Sequence, residues 1–190
     1  MDATDHYYSA SELFQAGFRS VGSNVRISRK SSLYSMHGTI GDNVRVDDFC
    51  ILKGSLNIGS FVHISAFSSV SGTRGTVTLC DFSGLANRVS IYTGSDDYSA
   101  DSLSNPTVPQ QFVTTISGDV VIGRAALIGA HSVVLPGVTV GDAASVGALC
   151  IVSRSVPPGV IAVAARAAWK AVGIRSVANI MNLADQVSGA

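Results

Sequence analysis

Charge is scarce in this 190-residue chain: 14% of its residues are charged, 13 basic against 13 acidic, and the formal net charge is zero. A protein that neutralises nucleic-acid phosphates needs a basic face, and that count supplies none. Cysteine is scarce too. Cys50, Cys80 and Cys150 are odd in number and form no CxxC pair, which argues against a disulfide framework or a zinc site and for free thiols. No apolar run reaches the roughly 18 residues of a membrane span. The opening MDATDHYYSA also lacks the basic start and apolar stretch of a signal peptide. A soluble cytoplasmic protein without a metal is expected. Apolar residues, at 46%, and 19 glycines make up for what is missing. So much apolar content with so little charge implies surface covered by another chain, and hence an oligomer.

The apolar residues recur every six positions. Aliphatic side chains stand at Val21, Ile27 and Leu33, then from Ile40 through Val46, Leu52, Ile58 and Ile64 to Val70, and at Leu79, Leu85 and Ile91. After an interruption they resume at Ile116 and continue through Ile122, Ile128, Val134, Val140 and Val146 to Val152. Four residues after most of these comes a small or apolar side chain, as at Cys50, Ser68, Ser83, Ala126, Ser132, Ala144 and Cys150. Six residues are too few for a helix and turn but fit one short strand and one tight corner. Three units close a triangular coil whose large and small side chains both point inward, and stacked coils form a continuous apolar prism. Glycine follows the aliphatic residue at Gly22, Gly41, Gly59, Gly123, Gly129, Gly141 and Gly147, as expected where corners need positive φ.

The flanks and breaks read differently. Ser9 with Glu12 opens a capping box for a short amphipathic helix ending near Gly17. That helix suits a plug on the open end of the prism, where backbone groups and apolar cross-section would otherwise be exposed. Ser71–Gly75 is a small break, read as a bulged corner or as a substrate contact through Arg74. A longer excursion runs from Asp97 to Thr115 and contains the stiff segment Asn105-Pro106-Thr107-Val108-Pro109; loops of this length in a compact repeat are usually functional. Pro157-Pro158-Gly159 stops the coils, and the spacing of Val177, Ile180, Met181, Ala184 and Val187 predicts a C-terminal amphipathic helix. The expected organisation is a cap over 1–20, a β-helix over 21–156 with an excursion at 97–115, and a helical tail over 157–190.

The run IGRAALIGAHSVVLPGVTVGDAASVGALCIVSRSV (Ile122–Val156) resembles the hexapeptide-repeat signature of the left-handed parallel β-helix acyltransferases, which move an acyl group from coenzyme A to an amine or hydroxyl. Phe61–Pro109, with FVHISAFSSV, IYTGSDDYS and NPTVP, is similar to the branch that acylates sugars, including nucleotide-linked amino sugars and surface-polysaccharide units. The resemblance implies an all-β solenoid with left-handed coils, acetyl-CoA as acyl donor, a homotrimer with sites between subunits, and an excursion that reaches over a neighbour. It also implies coenzyme contacts along Gly129, Ala130, His131, Gly147 and Ala148, with Arg154 or Arg166 supplying charge to its phosphates. The segment IAVAARAAWKAVG resembles an altered form of the family's closing A-G-x-P-A-K element, with Ala162 and Ala164 replacing its glycine and proline and Arg166 at its basic position.

Acyl transfer from a thioester needs an unprotonated nucleophile, a polarised carbonyl and aligned reactants. His6 lies in the polar tail and His37 at an irregular join. His63 sits at a corner, as a base or orienting group or as a corner histidine bonded to a loop. In the galactoside and maltose acetyltransferase branch, the position aligned with Asp96 after the same I-Y-T lead-in is the catalytic histidine. Here it is absent, and Asp96 and Asp97 stand there instead. A hydroxyl acceptor needs a strong base, whereas a sugar amine arrives as an ammonium with a pKa of roughly 8 and needs an anion to bind it. The two carboxylates therefore favour an amine, although Ser95-Asp96-Asp97 also suits an Asx turn. Arg88 and Tyr92 are candidate contacts to a nucleotide. The expected activity is N-acetylation of a nucleotide-linked amino-deoxysugar for surface polysaccharide. The alternatives are O-acetylation of a sugar hydroxyl with a histidine base, and a non-catalytic hexapeptide-repeat scaffold.

Overall fold

The structure, a computed structural model, describes residues 6–99, 101–164 and 169–189. Three parallel ladders wrap one prism. The first face stacks Phe18–Val21, 38–40, 55–58, 76–79, Val120–Ile122 and Thr139–Val140. On the second lie Arg26–Ile27, Arg45–Val46, His63–Ile64, Gly84–Leu85, Leu127–Ile128, Ser145–Val146 and Val160–Ala164. The third carries 32–34, 51–53, 69–71, Ser90–Tyr92, Val133–Val134 and Ile151–Val152. Arg45 pairs with His63 and Leu127 with Ser145, three hexads on in each case. This is the solenoid that the six-residue period predicts.

The period works because both inward positions are filled in the regular hexads; the exceptions fall at the breaks, where His37, Arg74 and Ile116 are exposed. Ile27, Val46, Ile64, Leu85, Ile128 and Val146 stack beneath the second face, and all are buried. Cys50, Ala126, Ala144 and Cys150 occupy the small slots, with Ser68, Ser83 and Ser132 among them. Each buried aliphatic side chain contributes about 1.5–3 kcal/mol. The inward serines satisfy themselves against backbone, Ser68 on the Ala86 carbonyl and Ser132 on that of Gly147. The Ser83 hydroxyl is buried without a partner among the described residues.

Glycine has a different role from the one expected at corners. Positive φ at the corners is carried instead by non-glycine residues, among them Phe49, Phe61, Phe67, Phe82, Arg88 and His131, each of these six a step before a buried inward residue. Their amides bond to the coil above, as Phe67 does to Asp48 and His131 to Asn87. The post-aliphatic glycines other than Gly147 are needed because coils approach closely there. A Cβ on Gly123 would lie 2.6 Å from the Asp142 nitrogen.

Helix α1 (Ala10–Ala16) has Ser9 as its N-cap, a complete capping box with Glu12, and Gly17 at φ 117° as its C-cap. Arg29 clamps the Glu12 carboxylate at 2.8 and 2.9 Å, and Leu13 seals the prism end. At the other end, Val160–Ala164 joins the second face and pairs antiparallel with Trp169–Ile174. Helix α2 (Val177–Ser188) follows, held by Arg124 to Asp185 at 2.7 Å. The helical part of 157–190 is thus its final stretch, because the alternating Val160–Ala164 segment finds a parallel edge to extend.

Candidate active site

Where Ser90–Tyr92 leaves the third face, the chain departs from the prism. Gly94–Asp96 pairs antiparallel with Thr115–Ser117, so the excursion begins as a two-stranded ribbon. Its tip is tied by short polar contacts. The Asn105 amide donates to the Asp96 carboxylate at 2.9 Å, and the Asn105 side chain accepts from the Thr107 amide and hydroxyl. Asp97 accepts from the Ser99 amide at 2.9 Å and its hydroxyl at 2.6 Å, the geometry of an Asx turn. The adjacent carboxylates thus point to different tasks.

Between this ribbon and the third face lies a groove of about 670 Å³. Its polar end holds Thr73, Arg74, Ser95 and Asp96, with Tyr92 and Tyr98 beside them. The opposite wall is apolar, with Val133, Leu135 and Pro136, ending at Ser153 two coils below Tyr92. The groove has an anion and a cation at one end and an apolar run at the other. A polar acceptor fits the first and an extended, weakly polar arm the second. Among the described residues no group of three or more His, Cys, Asp or Glu side chains is placed to hold a metal, and no helix is long and apolar enough to cross a membrane.

The expected site residues are only partly gathered. Tyr92 and Asp96 line the groove; Asp97 adjoins it through the chain. His63 stands on the second face, outside the groove lining, with Nε2 2.9 Å from Asp47, whose other oxygen accepts from Arg45. Arg88 sits at the corner between the second and third faces, its guanidinium 4.8 Å above the Phe67 ring. Gly129, Ala130, His131, Gly147 and Ala148 follow along that corner, on the far edge of the face that bears the groove. Arg154 stacks on Trp169 at 4.5 Å and donates to its carbonyl. Arg166 lies outside the described residues. Arg74, in a break read from the sequence as a bulged corner or a substrate contact, also lines the groove. The signal for it was an arginine inside a break of the repeat, one coil before the excursion.

The chain is 42% identical, over 152 residues that make up 78% of it and 79% of the relative, to a dTDP-4-amino-4,6-dideoxy-D-glucose acyltransferase of Escherichia coli. AntD, an N-acyltransferase from Bacillus cereus crystallised with dTDP and 3-hydroxybutyryl-CoA, superposes with a TM-score of 0.88 at 35% identity, covering 97% of this chain and 99% of AntD. The chain belongs to this family of hexapeptide-repeat sugar acyltransferases. Members of the family use coenzyme A thioesters as acyl-donor substrates. A serine-substituted AntD holds dTDP-4-amino-4,6-dideoxyglucose together with coenzyme A, with the same TM-score of 0.88. A galactoside acetyltransferase in complex with coenzyme A, 20% identical with a TM-score of 0.53 over 89% of this chain and 71% of its own, shares the fold. No protein-family model matches the chain.

Proposed function

We propose that this enzyme transfers an acetyl or short acyl group from coenzyme A to the amino group of a dTDP-linked amino-deoxyhexose. The observation that carries the reading is Asp96, a carboxylate at the polar end of the groove where a hydroxyl-acylating site would need a base. Its 2.9 Å bond from the Asn105 amide fixes its orientation without neutralising it. The 42% identity to a dTDP-amino-sugar acyltransferase supports the same acceptor.

In this reading Asp96 binds the substrate ammonium, and Asp97 holds the turn that presents it. The ammonium loses one proton through Asp96 to water. The amine nitrogen then attacks the thioester carbonyl, the C–N bond forms, and a backbone amide steadies the oxyanion. Collapse breaks the C–S bond, and the departing thiolate takes up the second proton that the now cationic nitrogen gives up, leaving a neutral amide and coenzyme A. No covalent enzyme intermediate is required. The apolar wall of Val133, Leu135 and Pro136 takes the pantetheine arm.

The assembly is a homotrimer. Supporting it are exposed apolar side chains along one corner and its flanks, Phe49, Ile51, Phe67, Leu127, Leu149 and Ile151. The Gly129–His131 and Gly147–Ala148 segments, proposed coenzyme contacts, lie on the same corner and would meet a neighbouring copy. The product feeds surface-polysaccharide synthesis in the cytoplasm. The test is coenzyme A release from acetyl-CoA with dTDP-4-amino-4,6-dideoxyglucose and with the matching 4-hydroxy sugar. Turnover confined to the amine is expected, and equal turnover on the hydroxyl sugar would overturn the reading.

A further inference from the structure

Arg74 is built into the groove by three independent features. Strand 69–79 pairs with 51–58 in two registers, Gly54 with Gly72 and then Ser55 with Thr76. Residues 73–75 are therefore looped out of the ladder and project from the prism. The base of that loop is pinned to the root of the excursion. The Arg74 amide donates to the Thr93 hydroxyl at 3.1 Å, and that buried hydroxyl donates to the Ser71 carbonyl. Finally, the aliphatic stem of Arg74 lies across Gly94. A Cβ there would come within 2.6 Å of Arg74 Cδ, 2.8 Å of its Cβ and 2.9 Å of its Cγ. Gly94 has no positive φ that would call for glycine, so close approach of the arginine accounts for it.

The guanidinium thus carried forward has no ion-pair partner among the described residues. Its one side-chain bond is a long contact of 3.5 Å to the Gln110 amide oxygen on the excursion. Asp96 lines the same groove and the adjoining cavity of about 220 Å³ without pairing with it. Of the chain's other described arginines near the lower coils, Arg124 is held by Asp185, Arg154 by Trp169 and Arg175 by Ser145. Arg74 is the guanidinium that lines the groove. An unpaired planar fork beside a carboxylate suits a ligand bearing an ammonium and a nearby diphosphate.

We propose that Arg74, held in place by Gly94 and Thr93, pairs with the diphosphate of the nucleotide-sugar acceptor. This rests on the acceptor reading above and adds the residue that selects a nucleotide-linked sugar over a free one. The diphosphate of coenzyme A is the competing anion. It is disfavoured because the arginine stands at the Asp96 end, across from the apolar wall.

The test is calorimetric titration of dTDP and, separately, of coenzyme A into the full-length protein. The proteins compared are the wild type, Arg74→Gln, Gly94→Ala and the double variant, with thermal melts confirming folding. Losing a charge-assisted pair is expected to weaken dTDP about 10- to 100-fold in Arg74→Gln, with coenzyme A affinity unchanged and the salt dependence of dTDP binding reduced. Gly94→Ala displaces the stem but keeps the charge. It is expected to weaken dTDP as well, and to add little in the Arg74→Gln background, because the two changes act on one contact. Undiminished dTDP binding by Arg74→Gln overturns the proposal and leaves the acceptor reading standing. A loss confined to coenzyme A overturns it in favour of the donor. Wild-type protein that binds coenzyme A but not dTDP overturns the acceptor reading and this proposal with it.

Discussion

Asp96→Asn removes a charge from the groove and little else. The asparagine oxygen still accepts from the Asn105 amide, a bond made at 2.9 Å to the carboxylate, so the excursion keeps its root. A hydrogen bond to a charged group has a net worth of about 1.5–3 kcal/mol. At one decade per 1.36 kcal/mol, kcat/KM for the amino sugar is expected to fall about 10- to 150-fold at neutral pH. The defect should itself depend on pH. Below a pKa of roughly 8 the acceptor is an ammonium that needs the anion; above it the free amine arrives and needs it less. The gap between wild type and variant therefore narrows as pH rises through that range. Thiol release from acetyl-CoA, followed colorimetrically with dTDP-4-amino-4,6-dideoxyglucose from about pH 6.5 to 9.5, reads both effects. Asp97→Asn is the comparator. It keeps an acceptor for Ser99 and is expected to stay within about twofold of wild type. An Asp96→Asn enzyme as active as wild type, or a defect equally large at every pH, would refute the assignment.

Three further outcomes follow from the geometry. Gly123→Ala places a methyl 2.6 Å from the Asp142 nitrogen of the next coil; overpacking of about 1–3 kcal/mol lowers Tm by about 2–4 °C per kcal/mol in a chain of this size, measured by circular dichroism. The Arg29 guanidinium and the Ser9 cap hold the Glu12 carboxyl down at about 2, from about 4.5. Its contribution to the N-terminal cap is therefore complete above about pH 4.5 and is lost as pH falls from there towards 2, because the unfolded carboxyl binds its proton first; protection of α1 against an acid-active protease should fade over that window and persist at neutral pH. Burial pushes the Cys50 thiol up to about 11 and the Cys80 and Cys150 thiols upward as well, so a disulfide reagent near neutral pH should label the native protein slowly and all three thiols promptly in denaturant.

The hexad was legible because a six-residue strand-and-corner unit leaves a one-dimensional trace: Ile122, Ile128, Val134, Val140 and Val146 are buried wherever the period puts them. The capping box at Ser9 and Glu12 was equally local, since both partners lie within one turn of helix. Glycine was misread for a reason of the same kind. What constrains Gly123 is an atom of the next coil, and that neighbour is one full circuit away in sequence.

Sequence alone determined the prism, its plugged end and the excursion, because each is written in spacing or in residues close along the chain; that Asp96 and Asp97 stand in place of a histidine is implied by the family resemblance instead. Tertiary structure decided which of those residues share a groove. It set Asp96 beside Arg74 and gave Asp97 to a turn, while His63 went to another face with Asp47 and Arg154 to the Trp169 ring. A coil brings side chains together three hexads apart, and a break such as 73–75 shifts the register by amounts that periodicity does not encode. The meeting of Arg74 with Gly94 depends on that shift, so it exists only once the coils are stacked.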